Sequence, residues 1–129
     1  MPEHVHLIVW PGQAAAQVPR FLQGVKEPVG RKAIAFLRAT APAWLVRLRV
    51  QEGRRVRHRF WQPGGGYDRN ITSTAVLRAM IDYIHANPVR RGLVAAPEDW
   101  EWSSARWYLG MRPVKIELDR AAIDQLVWE

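Results

Sequence analysis

Met1-Pro2-Glu3-His4-Val5-His6-Leu7-Ile8-Val9-Trp10 is the stretch on which the fold turns. Alternate side chains of a β-strand share a face, so an extended chain puts His4 and His6 on one side and Val5 and Leu7 on the other. The apolar run stops at Pro11-Gly12, a turn signal. His4 to Trp10 therefore reads as an interior strand with Val5, Leu7 and Val9 in the core. Imidazole is the commonest metal ligand at neutral pH, so the two rings could form two legs of a divalent-cation site. An isolated His-x-His is more often a pair of half-exposed strand residues.

A second segment, Asp82-Tyr83-Ile84-His85-Ala86-Asn87-Pro88-Val89-Arg90-Arg91-Gly92-Leu93-Val94, changes that balance. Thr72 or Ser73 can cap a helix running to about Asn87. Val76, Leu77, Met80, Ile81 and Ile84 supply its apolar stripe at three- and four-residue spacing. Tyr83 and Asn87, four residues apart, stand one turn apart on one face. Pro88 disfavours α geometry at the residue before it and so ends the helix at Asn87. Taken alone, Tyr83 reads as an amphipathic core tyrosine and Asn87 as a helix-terminal residue. Val89 to Val94 reads as a turn that exposes Arg90 and Arg91.

Between these segments, residues 17–39 have mostly helical apolar spacing through Val18, Phe21, Leu22, Val25 and Val29, then Ala33, Ile34, Phe36 and Leu37. Pro28-Val29-Gly30 is expected to break or kink that helix. Trp44 to Val50 and Arg55 to Trp61 read as two strands joined through Gln51-Glu52-Gly53-Arg54. Arg54, Arg55, Arg57 and Arg59 make this hairpin the most basic stretch of the chain. Pro63-Gly64-Gly65-Gly66 lacks the flanking strand and helix of a dinucleotide cradle and reads as a loop. Pro97 to Ser104 leads into a short helix carrying Arg106, Trp107 and Tyr108. Asp119 is expected to cap a last helix with Ile123, Leu126 and Val127 on its apolar face.

The chain has 129 residues, enough for one domain with one core. Its 19 Lys and Arg against 12 Asp and Glu leave a net charge of +7, the electrostatic signature of a phosphate-rich partner or merely of a soluble basic protein. Seven tryptophans offer stacking surfaces for unpaired bases, although aromatic side chains mostly fill cores. The absence of cysteine excludes disulfides and thiolate metal sites and suits the cytoplasm. No apolar run has the length of a membrane span, so no membrane partner is expected. No paired carboxylates, cysteine nucleophile or glycine-flanked serine elbow suggests a hydrolase.

Four pieces in order, MPEHVHLIV (1–9), RFWQPGGGYDRNI (59–71), YIHANPVRRGLV (83–94) and PEDWEWSSARWYLG (97–110), resemble the IS200-like transposases, in particular the REP-associated tyrosine transposases of bacteria. The resemblance covers residues 1 to about 110 of a single domain spanning 1–129, with 111–129 as a C-terminal extension. It implies an α+β, ferredoxin-like antiparallel sheet with helices on one face. It further implies that His4, His6 and Asn87 bind a divalent metal, Mg²⁺ or Mn²⁺, and that Tyr83 is the nucleophile. The activity implied is cleavage and transfer of single-stranded DNA near hairpins through a 5′-phosphotyrosine, leaving a free 3′-hydroxyl. Arg55, Arg57, Arg59, Arg90 and Arg91 are the expected DNA contacts. His85, two residues from Tyr83, points to another side of the helix and is not an evident general base.

Members of that family carry a strand, a helix and a second strand ahead of the histidine strand, whereas this chain starts almost at the histidine pair. The expectation is an N-terminally truncated scaffold with unpaired strand edges, poorly stable or associating with a second copy as a homodimer. The rival reading is a remnant that binds nucleic-acid hairpins without catalysis. A structural zinc module is less well served by two imidazoles and one amide.

Overall fold

The structure is a computed structural model that describes residues 1, 3–10, 18–62 and 66–121. Its elements are α1 (Val18–Thr40), α2 (Pro42–Leu45), β1 (Arg49–Glu52), β2 (Arg55–His58), α3 (Thr74–Arg90) and α4 (Ala105–Tyr108). Val46–Leu48 and Pro97–Asp99 are 3-10 turns. Helices combine with one two-stranded antiparallel sheet, which makes the chain α+β. It divides into two compact units, Met1–Trp10 with Arg69–Glu129, and Pro11–Asp68.

In the second of these, α1 runs unbroken through Pro28, where a break or kink was expected. Proline removes one N–H, but the helix is held locally from outside. Trp61 Nε1 donates to the Lys26 carbonyl at 2.8 Å, two residues before the proline. The strand expected from Trp44 begins only at Arg49. Pro42 takes the first position of α2, where its fixed φ starts a helix and no N–H is needed. The chain then stays helical through Leu48, with Leu45 buried. The hairpin pairs Arg49 with His58 and Glu52 with Arg55, so β1 takes in Gln51 and Glu52, expected in the turn, and β2 ends at His58 rather than Trp61. Gly53 occupies the first of two loop positions at φ +59°, which a side chain would resist and which a type II′ turn requires.

In the first unit, Ser73 caps α3, its hydroxyl accepting from Val76 N–H at 3.3 Å. Leu77 is buried, and Val76, Met80, Ile81 and Ile84 are half-buried, so the predicted stripe is the one that packs. Its neighbour is the Pro97–Asp99 turn, which also packs on α4. Contrary to expectation, α3 does not stop at Asn87 but continues over Pro88 to Arg90. The closure beyond explains this. Gly92 N–H donates to Val89 O at 2.8 Å and Leu93 N–H to Pro88 O at 2.9 Å, with Gly92 at φ +65°. That is a Schellman ending, and its bonds outweigh the mild bias against α geometry before a proline.

The larger correction concerns His4–Trp10, which is neither strand nor helix. Val5 is 58 % exposed, Leu7 52 % and Val9 39 %, so the three expected core residues are not buried. A strand needs a neighbour for its backbone N–H and C=O groups. Among the described residues the one ladder is β1–β2, in the other unit, and nothing pairs with this segment. Asp119 Oδ1 accepts from Ala121 N–H at 3.1 Å, as an N-terminal cap would. Ile123, Leu126 and Val127, and the glycines at 64 and 65, lie outside the described residues. No described helix is long and apolar enough to cross a membrane.

Candidate metal centre

His4, His6 and Asn87 converge without the strand that was expected to align the histidines. His4 Nε2 lies 3.0 Å from His6 Nε2, which in turn lies 3.0 Å from Asn87 Nδ2. The amide's nitrogen and oxygen are assigned by its hydrogen bonds, so rotating the group presents Oδ1 at the same point. Asn87 is only 8 % exposed and is the buried polar residue of the described core. A neutral imidazole nitrogen carries one proton or one lone pair. His6 Nε2 can therefore pair at full strength with only one of its two close neighbours. A cation accepting lone pairs from all three atoms removes that conflict.

The spacing also suits a hard ion. Metal–ligand bonds of about 2.1 Å at right angles put neighbouring donors about 3.0 Å apart. Among the described residues no three His, Cys, Asp or Glu side chains form a metal-binding group, and the third side chain at this point is the Asn87 amide. Burial, then the neighbouring His4 and the chain's amino terminus, lower the pKa of His6 below its usual 6.5. All three causes favour the neutral ring, whose lone pair a metal needs.

Tyr83 stands one helical turn before Asn87 on α3. Its ring packs edge-on against His6 with centroids 5.7 Å apart, yet 42 % of the residue remains exposed. The Arg90 guanidinium carbon lies 5.5 Å from the Tyr83 ring centroid. Tyr83, Asn87 and Arg90, at spacings of four and three, thus form one stripe. Arg91 lies just past the helix, and its side chain donates to Glu3 Oε1. The same Glu3 oxygen is 3.8 Å from His4 Nδ1. A bond from its own backbone, supported by Arg91, lowers the Glu3 carboxyl pKa.

His85 faces elsewhere, as its position on the helix predicts. Its Nε2 is 2.9 Å from Ser104 Oγ, and its ring meets Tyr108 edge-on at 5.4 Å. Burial lowers the His85 pKa, partly opposed by Asp82, and burial raises that of the Tyr108 phenol. Tyr67, the third tyrosine, is 91 % exposed.

Arg55, Arg57 and Arg59 lie in the other unit. Arg55 stands opposite Glu52 in the register, and Arg57 Nε is 3.4 Å from Glu52 Oε2. Arg59 pairs with the other oxygen of the same carboxylate. Two arginines thus pair with one glutamate, and Arg55 faces that glutamate in the register. The residues that sequence reading missed are Glu3 and, in its pairing role, Arg91. They are 88 positions apart, and no local pattern links them. Comparison with protein-family models, curated proteins and solved structures gives no match.

Proposed function

We propose that this chain is a divalent-metal-dependent tyrosine endonuclease and strand-transfer enzyme of the IS200-like, REP-associated kind, acting on single-stranded DNA beside hairpins. The observation that carries the proposal is the meeting of three lone-pair donors, His4, His6 and Asn87, beside an accessible tyrosine on the same helix face. Neither an amphipathic core tyrosine nor a simple helix-end asparagine calls for two imidazoles at its side.

His4, His6 and Asn87 supply three ligands, the number a hard cation takes when it also keeps waters and a phosphate oxygen. When bound, Mg²⁺ or Mn²⁺ would polarise the scissile phosphate and orient it. Tyr83 attacks through its phenolic oxygen. The Oη–P bond forms, the P–O3′ bond breaks, the phenol proton leaves, and the 3′ oxygen departs as a hydroxyl. The phosphotyrosine conserves the ester for rejoining to another strand end. Arg90, over the Tyr83 ring, meets the phosphate charge. The hairpin arginines Arg55, Arg57 and Arg59 contact the phosphate backbone, with Glu52 as the group the phosphate displaces.

The finer fold proposal, a ferredoxin-like sheet, requires His4–Trp10 to gain strand neighbours. The exposed Val5, Leu7 and Val9 would then form the apolar face of that strand, for a helix to cover. Incubation of the protein with a single-stranded hairpin oligonucleotide and Mg²⁺ tests the chemistry. A covalent adduct is expected with wild type and none with Tyr83→Phe. An adduct that survives in that variant assigns the role to Tyr67 or Tyr108. Hairpin binding with no adduct in wild type reduces the function to nucleic-acid binding without catalysis.

A further inference from the structure

We infer that Glu3 is a positioning residue: held by Arg91, its carboxylate keeps the proton of His4 on Nδ1 and so turns the Nε2 lone pair toward His6 and Asn87. This rests on the metal reading above and deepens it. Nothing in the motif itself marks Glu3 out.

Arg91 is anchored twice. Its backbone N–H donates to Asn87 O at 3.1 Å, and its side chain donates to Glu3. The carboxylate is therefore registered to the same turn of α3 that presents Asn87. Glu3 Oε1, the atom that accepts from Arg91, is also the atom 3.8 Å from His4 Nδ1. That separation exceeds a hydrogen bond, so the effect on the ring is an electrostatic bias, and a proton on Nδ1 is the one it favours. Only one nitrogen of a neutral imidazole carries the proton, so a proton on Nδ1 leaves the lone pair on Nε2. His4 Nε2 is the atom 3.0 Å from His6 Nε2. Ligating histidines commonly owe their orientation and basicity to such a carboxylate behind the ring.

The assignment also gives Arg91 a different task from Arg90. Arg90 faces the Tyr83 ring and is free to meet a phosphate. Arg91 spends its guanidinium on Glu3. A merely structural ion pair would be indifferent to which partner carries which charge. A positioning carboxylate would not.

The experiment uses the full chain with ¹⁵N-labelled histidine, metal-free, at a pH where the imidazoles are neutral. Two-bond ¹H–¹⁵N spectra report the tautomer of each ring. His4 is expected with its proton on Nδ1 in wild type and as a mixture in Glu3→Gln, with His85 unchanged. Mn²⁺ titration should then show about a 10–100-fold loss of affinity in Glu3→Gln. The swapped pair, Glu3→Arg with Arg91→Glu, should restore the melting temperature but not the affinity. An unchanged His4 tautomer in Glu3→Gln overturns the assignment, and so does recovery of Mn²⁺ affinity in the swapped pair. Because the tautomer is read without metal, a tautomer change in Glu3→Gln alongside a wild type that takes up no Mn²⁺ supports the role of Glu3 and sinks the metal reading instead.

Discussion

Two segments build the candidate metal centre, and they hold their shape by opposite means. Helix α3 is secured by its own backbone, from the Ser73 cap to the Schellman closure at Gly92. The His4–Trp10 segment has no such ladder. Its hydrogen bonds to α3 and the residue after it come from side chains, Asn87 to His6 and Arg91 to Glu3, with the Tyr83 ring against His6. The helix therefore presents Tyr83 and Asn87 whatever the segment does, whereas the histidines are placed through α3's side chains. The site is asymmetric: one half is a scaffold and the other is a guest upon it.

The substitution with the largest expected effect cuts the guest loose. Asn87→Ala removes a buried amide and leaves His6 without that contact, at a cost of about 1–3 kcal/mol. Mn²⁺ binding should fall below detection. Limited proteolysis should quicken within residues 4–10 while the amides of Val76 to Ile84 keep their hydrogen-exchange protection. Asn87→Asp, which offers a harder oxygen donor, should retain or strengthen Mn²⁺ binding. Loss of α3 protection together with faster cleavage of the segment would show that the two fold as one unit and that the asymmetry is illusory.

Next comes damage to the scaffold alone. A Cβ at Gly92 would meet nothing within 4 Å, so Gly92→Ala is opposed only by the backbone's φ of +65°. A non-glycine residue in that conformation costs about 1–2 kcal/mol. The unfolding free energy should drop by about that amount, read from denaturant titration. If the scaffold reading is right, the guest suffers with it, and Mn²⁺ affinity falls in step with the fraying of the last turn. A stable closure with weakened metal binding would contradict that order of dependence.

Smaller still is the effect of pH on the scaffold's packing through His85. Burial depresses its folded pKa below the ordinary 6.5. The unfolded chain then binds the proton first, so stability rises with pH across that window. The contribution is fully present above pH 6.5, declines as the solution is acidified, and is gone below the lowered folded value. Denaturant titrations across that range should show the decline in wild type and a shallower one in His85→Gln, which keeps a donor for Ser104. An identical pH profile in the variant would locate the dependence elsewhere.

How much of this was legible in the sequence differs between the same two segments. For α3 the serine cap, the apolar stripe and the Tyr83–Asn87 spacing were all readable, because helices are specified by contacts three and four residues apart. Its end was misplaced by three residues, since the closure depends on the glycine two positions past the helix rather than on Pro88 alone. The hairpin turn was readable from Gly53, but not the helical start at Pro42, where a position-specific proline overrode a weak alternation. For His4–Trp10 the periodicity predicted a buried strand, and burial is what periodicity cannot guarantee: a strand depends on partners that its own residues do not encode. The convergence of His4, His6 and Asn87 was anticipated from same-face spacing in a strand and from the YxxxN arrangement of the resembling motifs, and it occurs without that strand. The Glu3–Arg91 pair was beyond reach because neither residue carries a local mark.

The smallest predicted change sharpens the comparison by placing the same pair chemistry where it holds nothing. Glu52 accepts Arg57 and Arg59 on the exposed hairpin, just as Glu3 accepts Arg91 beside the histidines. Exposed ion pairs are worth about 0–1 kcal/mol, so Glu52→Gln should barely move the melting temperature. Its effect should be on binding. Removing the carboxylate leaves Arg57 and Arg59 uncompensated, and each additional phosphate neutralised steepens the log–log dependence of single-strand affinity on salt by about 0.7. Glu52→Gln should therefore bind a single-stranded oligonucleotide more tightly at low salt and lose the advantage as salt rises, with Mn²⁺ affinity unchanged. Glu3→Gln should do the reverse, weakening Mn²⁺ binding with a smaller change in the salt slope. If both variants alter salt dependence alike and neither alters metal affinity, the two glutamates are equivalent surface partners, and the special standing of Glu3 is lost.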